Sequence, residues 1–180
     1  MQDWNVVVTV FDETGYRLAR RLLSAFGRID STDYFNVLVM RVEDIEIFTR
    51  AIGELFEKTP GYLNSISRVV PAHATIDYQS PEEFVEEAKR AILEWSDVLA
   101  GKSFHIRLHR RGFKGEIISP EMERSLDGAL LERLEQMNRP GSIDFENPDM
   151  VVDIEMVGNR AGLSAWSRDE LARYAFLHID

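Results

Sequence analysis

The chain has 180 residues, no cysteine, and 21 basic against 31 acidic side chains, a formal charge of −10. These figures exclude a disulfide scaffold, thiol catalysis and cysteine-ligated metal sites, and a 44% hydrophobic content excludes wholesale disorder. With no stretch near the ~18 apolar residues of a membrane span and no signal-peptide start, a soluble, cytoplasmic protein without a membrane partner is expected. A pI near 4.9 argues against a uniform nucleic-acid binder, unless the charge is unevenly distributed.

Trp4 to Phe11 is apolar, β-branched and continuous, the pattern of a central strand. Asp12 or Thr14 can cap the next helix, whose expected core stripe is Leu18, Leu22, Ala25 and Phe26, with Gly27 as the stop. A second strand is expected over Phe35 to Val42. Asp44 then caps a helix carrying Ile45, Phe48, Ile52, Leu55 and Phe56, and a third strand is expected from Ile66 to Tyr78. This β-α-β-α-β order suits a ferredoxin-like unit over residues 1–80. Neither G-x-G-x-x-G nor G-x-x-x-x-G-K-[ST] occurs, so no nucleotide cofactor is expected.

Ser80-Pro81-Glu82-Glu83 is a capped helix start. The helix over 81–100 buries Phe84, Ala88, Ile92, Trp95 and Leu99 and exposes an acidic face, and it connects the first unit to a second over 81–180. Phe104, Ile106 and Leu108 alternate with His105, Arg107 and His109, which reads as a half-buried strand. Ser119-Pro120-Glu121 opens another helix with Met122, Leu126, Leu130, Leu134 and Met137 toward the core. Met150 to Val157 and Ala161 to Trp166 form a hairpin about Gly158-Asn159. Ser167 caps a short helix, and Phe176 to Ile179 is a candidate final strand.

The charge is uneven. Residues 81–100 hold six acids and two bases, whereas 101–115 hold Lys102, Arg107, Arg110, Arg111 and Lys114 and no acid. Strand geometry puts His105, Arg107 and His109 on one outer face, and the loop after them extends the positive strip. Guanidinium groups suit phosphate, so the strip is a candidate RNA-backbone site; a solvated face paired with the acids of 81–100 is the alternative. His105 and His109 lie about 13 Å apart along a strand, too far for one metal ion. No catalytic or metal site is expected: no activated nucleophile stands out, and Asp153 and Glu155 can equally pair with Arg107 or Arg160. Trp166 is a candidate base-stacking residue or a buried anchor.

Phe104-His105-Ile106-Arg107-Leu108-His109-Arg110-Arg111-Gly112, then Ile143-Asp144-Phe145-Glu146-Asn147-Pro148-Asp149, then Glu155-Met156-Val157-Gly158-Asn159-Arg160-Ala161-Gly162-Leu163-Ser164 resemble the THUMP domain. The chain is most similar to stand-alone members of the kind that assist tRNA cytidine acetylation. The resemblance implies an α/β (α+β) fold, a ferredoxin-like unit packed on a THUMP-type domain. It also implies a non-enzymatic adaptor that binds tRNA near its acceptor end and presents it to a separate tRNA-modification enzyme. The family's basic strand and loop match Arg107, Arg110, Arg111 and Lys114. Lys102, His105 and His109 belong to the same strip, and Asn159, Arg160 and Arg168 are looser carry-overs. A protein-interaction module that docks a basic partner on the acidic helix is the rival expectation.

Overall fold

The computed structural model describes residues 2–179. Their contacts divide them into two compact units. One runs to His73 and takes in the residues from Leu171 onward, and the other spans Ala74–Glu170. This division differs from the expected break at residue 80.

The first unit contains β1 (Val6–Val10), α1 (Glu13–Leu23), β2 (Arg28–Ser31), β3 (Val37–Arg41), α2 (Ile45–Lys58), a 3-10 turn (Pro60–Asn64) and β4 (Ile66–Pro71). Its sheet has the order β2-β3-β1-β4, with every pair antiparallel. The apolar run of β1 takes a central place, as a strand buried on both faces must. Asp12 and Asp44 cap their helices through Gly15 N–H and Ile47 N–H, at 2.9 and 2.8 Å.

Four local expectations change. The order is β-α-β-β-α-β, because β2 was not foreseen: Arg-Ile-Asp-Ser buries only Ile29 and lies at the sheet edge, where burial does not force an apolar pattern. Helix α1 buries Gly15, Ala19 and Leu23, while Leu18 and Leu22 are half-buried. Gly15 sets that face, since a Cβ there would lie 2.3 Å from the Ser65 carbonyl oxygen. The expected strand from 66 to 78 is two strands, each in a different sheet. At the C-terminus, Phe176 to Ile179 forms no strand, although the Phe176 carbonyl accepts from Val69 N–H at 2.8 Å.

The second unit contains β5 (Ala74–Asp77), α3 (Pro81–Leu93), α4 (Ser96–Leu99), β6 (Ser103–His109), α5 (Ser119–Gln136), β7 (Ser142–Ile143), β8 (Met150–Val157) and β9 (Arg160–Ser167), and α6 (Arg168–Arg173) follows. Its sheet has the order β5-β9-β8-β6-β7. The β6 strand is parallel to β7 and β8, and the other pairs are antiparallel. The fold is therefore mixed α/β with two sheets. Ser80 caps α3 through Glu83 N–H at 3.2 Å, and the Glu83 carboxylate accepts from Gln79 N–H at 2.7 Å, one residue before the N-cap N–H that the expected capping box uses. The helix breaks at Glu94-Trp95, so 81–100 is two helices. Phe104, Ile106 and Leu108 of β6, Met150, Val152, Ile154 and Met156 of β8, and the apolar stripes of α3 and α5 form one core. Alternation then sends His105, Arg107, His109, Asp153 and Glu155 to the opposite face.

One device holds β6 in place. The β7 strand pairs only with Ser103 and Phe104, so the rest of that β6 edge lacks a strand partner. Two α5 carboxylates one turn apart supply acceptors instead: Asp127 for Ile106 N–H at 3.1 Å and Glu123 for Leu108 N–H at 2.8 Å. Burial pushes the Asp127 carboxyl up to about 7, against the opposing bond from Ile106 N–H and with added repulsion from Glu123. No described helix is long and apolar enough to cross a membrane.

Candidate nucleic-acid interface

The face of the second sheet that carries the candidate residues differs from an open basic strip. His105 is only 1% exposed; its Nδ1–H donates to the Asp144 carbonyl at 2.8 Å and its ring lies 5.4 Å from that of Phe145. Asp153 and Glu155 are buried beside it on β8. The parallel register sets Arg107 beside Asp153 and His109 beside Glu155, yet the ion pairs run diagonally. His109 Nε2 meets Asp153 at 3.3 Å, and Arg111 meets Glu155. The acids of β8 therefore take His109 and Arg111, while Arg160, a partner the sequence allowed them, reaches Asp77.

The looser candidates are also engaged. Arg160 grips both Asp77 carboxylate oxygens at 2.8 Å and the Thr75 hydroxyl at 2.8 Å. Asn159 donates to the Tyr78 carbonyl at 3.1 Å. Arg168 clamps the carbonyls of Asn147 and Pro148 at 2.6 and 3.0 Å and the Asp149 carboxylate at 3.1 Å. These three fasten neighbouring strands and loops, so their pairing, with that of Arg111, removes much of the expected positive strip. Trp166, a candidate for base stacking, is 1% exposed and donates to the Ser164 hydroxyl at 2.8 Å, so it is an anchor.

Three cations, Arg107, Arg110 and Lys114, make no ion pair among the described residues, and a fourth, Lys102, lies near enough to Asp149 to help hold its carboxyl low. The half-buried Arg107 side chain has no hydrogen bond or ion pair among the described residues. Arg110 donates to the Gly112 carbonyl of its own loop. Lys102 Nζ lies 3.9 Å from Met150 Sδ, and Lys114 is exposed. They lie at the two ends of β6, on its outer face and in the loop after it. Gly112, Phe113 and Gly115 all have positive φ there, which turns the backbone tightly around Arg110 and Lys114.

Two features escaped the sequence reading. His109, Asp153 and Glu155 each bring one ligand atom within 4.8 Å of the others, the spacing of a divalent-cation site. Strand pairing, which the sequence does not display, makes that grouping. Arg111 already neutralises Glu155 there, so a cation would have to displace a half-buried guanidinium. The second feature is Phe145, which is 63% exposed on the loop between β7 and β8. Its polar surroundings, Asp-Phe-Glu-Asn-Pro-Asp, were the available signal. That loop is pinned. The Asp144 carboxylate accepts from Asn147 and Glu146 N–H, which hold it below the usual carboxylate range. Asp149 is likewise lowered by Ser103 N–H and then the Ser103 hydroxyl, both at 3.0 Å.

Curated relatives include the tRNA sulfurtransferase of Shewanella piezotolerans, 28% identical over 120 residues, which are 67% of this chain and 22% of that protein. Another is the tRNA sulfurtransferase of Pyrobaculum aerophilum, 30% identical over 121 residues, covering 66% of this chain and 20% of that protein. The chain thus spans about a fifth of the length of these relatives. Among solved structures, PH1313 from Pyrococcus horikoshii superposes with a TM-score of 0.65 at 14% identity, over 91% of this chain and 54% of that one. A 4-thiouridine synthetase–RNA complex with bound ATP gives a TM-score of 0.53 at 11% identity, over 92% of this chain and 42% of that one. These structural likenesses establish the fold. The relatives correct one expectation. A chain without catalytic function was expected from the lack of a recognisable nucleophile or cofactor loop, but the proteins it matches are named as enzymes. Motif absence within a segment a fifth of their length does not separate it from enzymatic systems. Residues 78–165 match the family directly, and this part of the chain is a THUMP domain.

Proposed function

We propose that the chain binds tRNA near its acceptor end and presents it to the centre that modifies it, held by a partner tRNA-modification enzyme. The observation that carries this reading is the THUMP domain over residues 78–165, in a chain whose relatives are named for tRNA sulfur transfer. Sulfur transfer, more than cytidine acetylation, is the chemistry those names favour. The first unit, read as ferredoxin-like from its β-α-β-β-α-β order, accompanies the RNA-binding unit.

Within the second unit, Arg107, Arg110, Lys114 and Lys102 are the phosphate-contacting residues. A guanidinium without an acidic partner gains most from a phosphate. Arg111, His109, Arg160, Asn159 and Arg168 shape the surface by holding β8, β5 and the β7–β8 loop. Four contacts on a protein of charge −10 give weak long-range attraction, so affinity is modest and rises when an enzyme adds its own surface. Fluorescence anisotropy with labelled tRNA and with duplex DNA of equal length, at low salt, tests the reading. Binding of tRNA in preference to the duplex is expected. Equal binding of both, or of neither, refutes it.

A further inference from the structure

The ring of Phe145 is largely exposed on a loop whose backbone is fastened by other groups. Of the aromatic side chains described in the second unit, Tyr78, Phe84, Phe104 and Trp166 are buried and Trp95 and Phe113 half-buried. Phe145 alone among them is exposed, at 63%. It is also held in position. One face lies against the His105 ring at 5.4 Å and 35°. His105 is itself fixed by its Nδ1–H bond to the Asp144 carbonyl. The Asp144 and Asp149 carboxylates and the Arg168 guanidinium fasten the backbone on either side. The other face is left to solvent, with the half-exposed Arg168 guanidinium bound to the same loop.

We infer that Phe145 is a stacking platform for an unpaired nucleobase. This rests on the tRNA reading above and names the part of the RNA that the β7–β8 loop takes. A base stacked there extends the His105–Phe145 pair by one ring, and stacking needs no base-specific hydrogen bond. The loop's charges favour a base over a phosphate at this point. Glu146 is exposed, Asp144 and Asp149 are held low and ionised, and the two cations near them, Arg168 and Lys102, do not offset three carboxylates. Phosphates therefore contact Arg107, Arg110, Lys114 and Lys102, while the loop contributes contact area that does not release counterions. Base-paired RNA has its rings stacked internally and gains nothing from Phe145.

This separation gives the test. An RNA hairpin carrying a four-nucleotide unpaired 3′ end and the same hairpin made blunt are titrated against the full chain, its Phe145→Leu variant and its Phe145→Trp variant, at several salt concentrations. Phe145→Leu should lose roughly 5- to 100-fold in affinity for the overhang RNA, with its salt slope unchanged and its affinity for the blunt hairpin unchanged. Phe145→Trp should bind the overhang at least as tightly as the parent. Parent-like binding of the overhang by Phe145→Leu overturns the inference and leaves tRNA binding standing. An equal loss on both hairpins also overturns it, because it assigns the ring to the fold or to duplex contact. Failure of the parent to bind either RNA removes the tRNA reading and this inference together.

Discussion

Asp127 offers a sharp check on how the second sheet is built. Its carboxylate stands in for a missing strand by accepting Ile106 N–H at 3.1 Å, in a buried place beside Glu123. Burial raises its proton affinity from the usual 3.8 to about 7. Between those two values the folded chain holds a proton that the unfolded chain has released. Stability must therefore fall as pH rises from about 4 to about 7, and level off above. At ~1.4 kcal/mol per tenfold change in proton affinity, the full loss is on the order of 4 kcal/mol, and about 2 kcal/mol of it lies above pH 5.5. Asp127→Asn keeps an oxygen for Ile106 N–H and carries no charge. Urea unfolding followed by circular dichroism, at intervals from pH 5.5 to 8, should show the variant gaining about 2 kcal/mol on the parent across that range. Parallel curves for the two proteins would refute the placement of a buried, ionisable carboxyl at this edge.

Other consequences are narrower. Arg111→Ala should destabilise by roughly 3–5 kcal/mol, since it leaves the Glu155 carboxylate buried without its guanidinium, whereas Arg110→Ala should cost under about 1 kcal/mol; thermal melts of both decide this. Asp144 and Asp149, both lowered in the folded chain, stabilise it above the ordinary carboxylate range and lose that contribution as pH falls below about 4. Asp149→Asn should therefore flatten the acid limb of the stability profile. Replacing Ser80 by Ala should cost about 1 kcal/mol by removing the α3 cap, measured by the urea midpoint.

The legible parts of the sequence were those where burial forces a pattern. The continuous run at Val6–Val10, the alternation at Phe104–Leu108 and the Ser80 and Asp44 caps all name their elements correctly. Short edge strands were not legible, because Arg28–Ser31 and Ser142–Ile143 bury too little to be patterned. The break at Ala72-His73 was hidden too, since residues 66–78 read as one apolar strand although the chain changes sheets there. The candidate site was legible in position but not in charge state. Alternation placed His105, Arg107 and His109 on one face, but only the β6–β8 register shows that Asp153 and Glu155 lie opposite them. That register takes Arg111 and His109 out of the basic strip and leaves Arg107 in it. Pairing across a parallel sheet joins residues more than forty positions apart, which local pattern does not encode.

The central claim is that tRNA meets the cations of β6 and its following loop. The direct measurement is the salt dependence of tRNA affinity for the parent and for the Arg107→Ala, Arg110→Ala double variant, with urea melts showing both folded. About four phosphate contacts predict a log–log slope of roughly −3 for the parent, and the double variant should bind more weakly with a slope shallower by about 1.4. A folded double variant with the parent's slope and affinity would contradict the account.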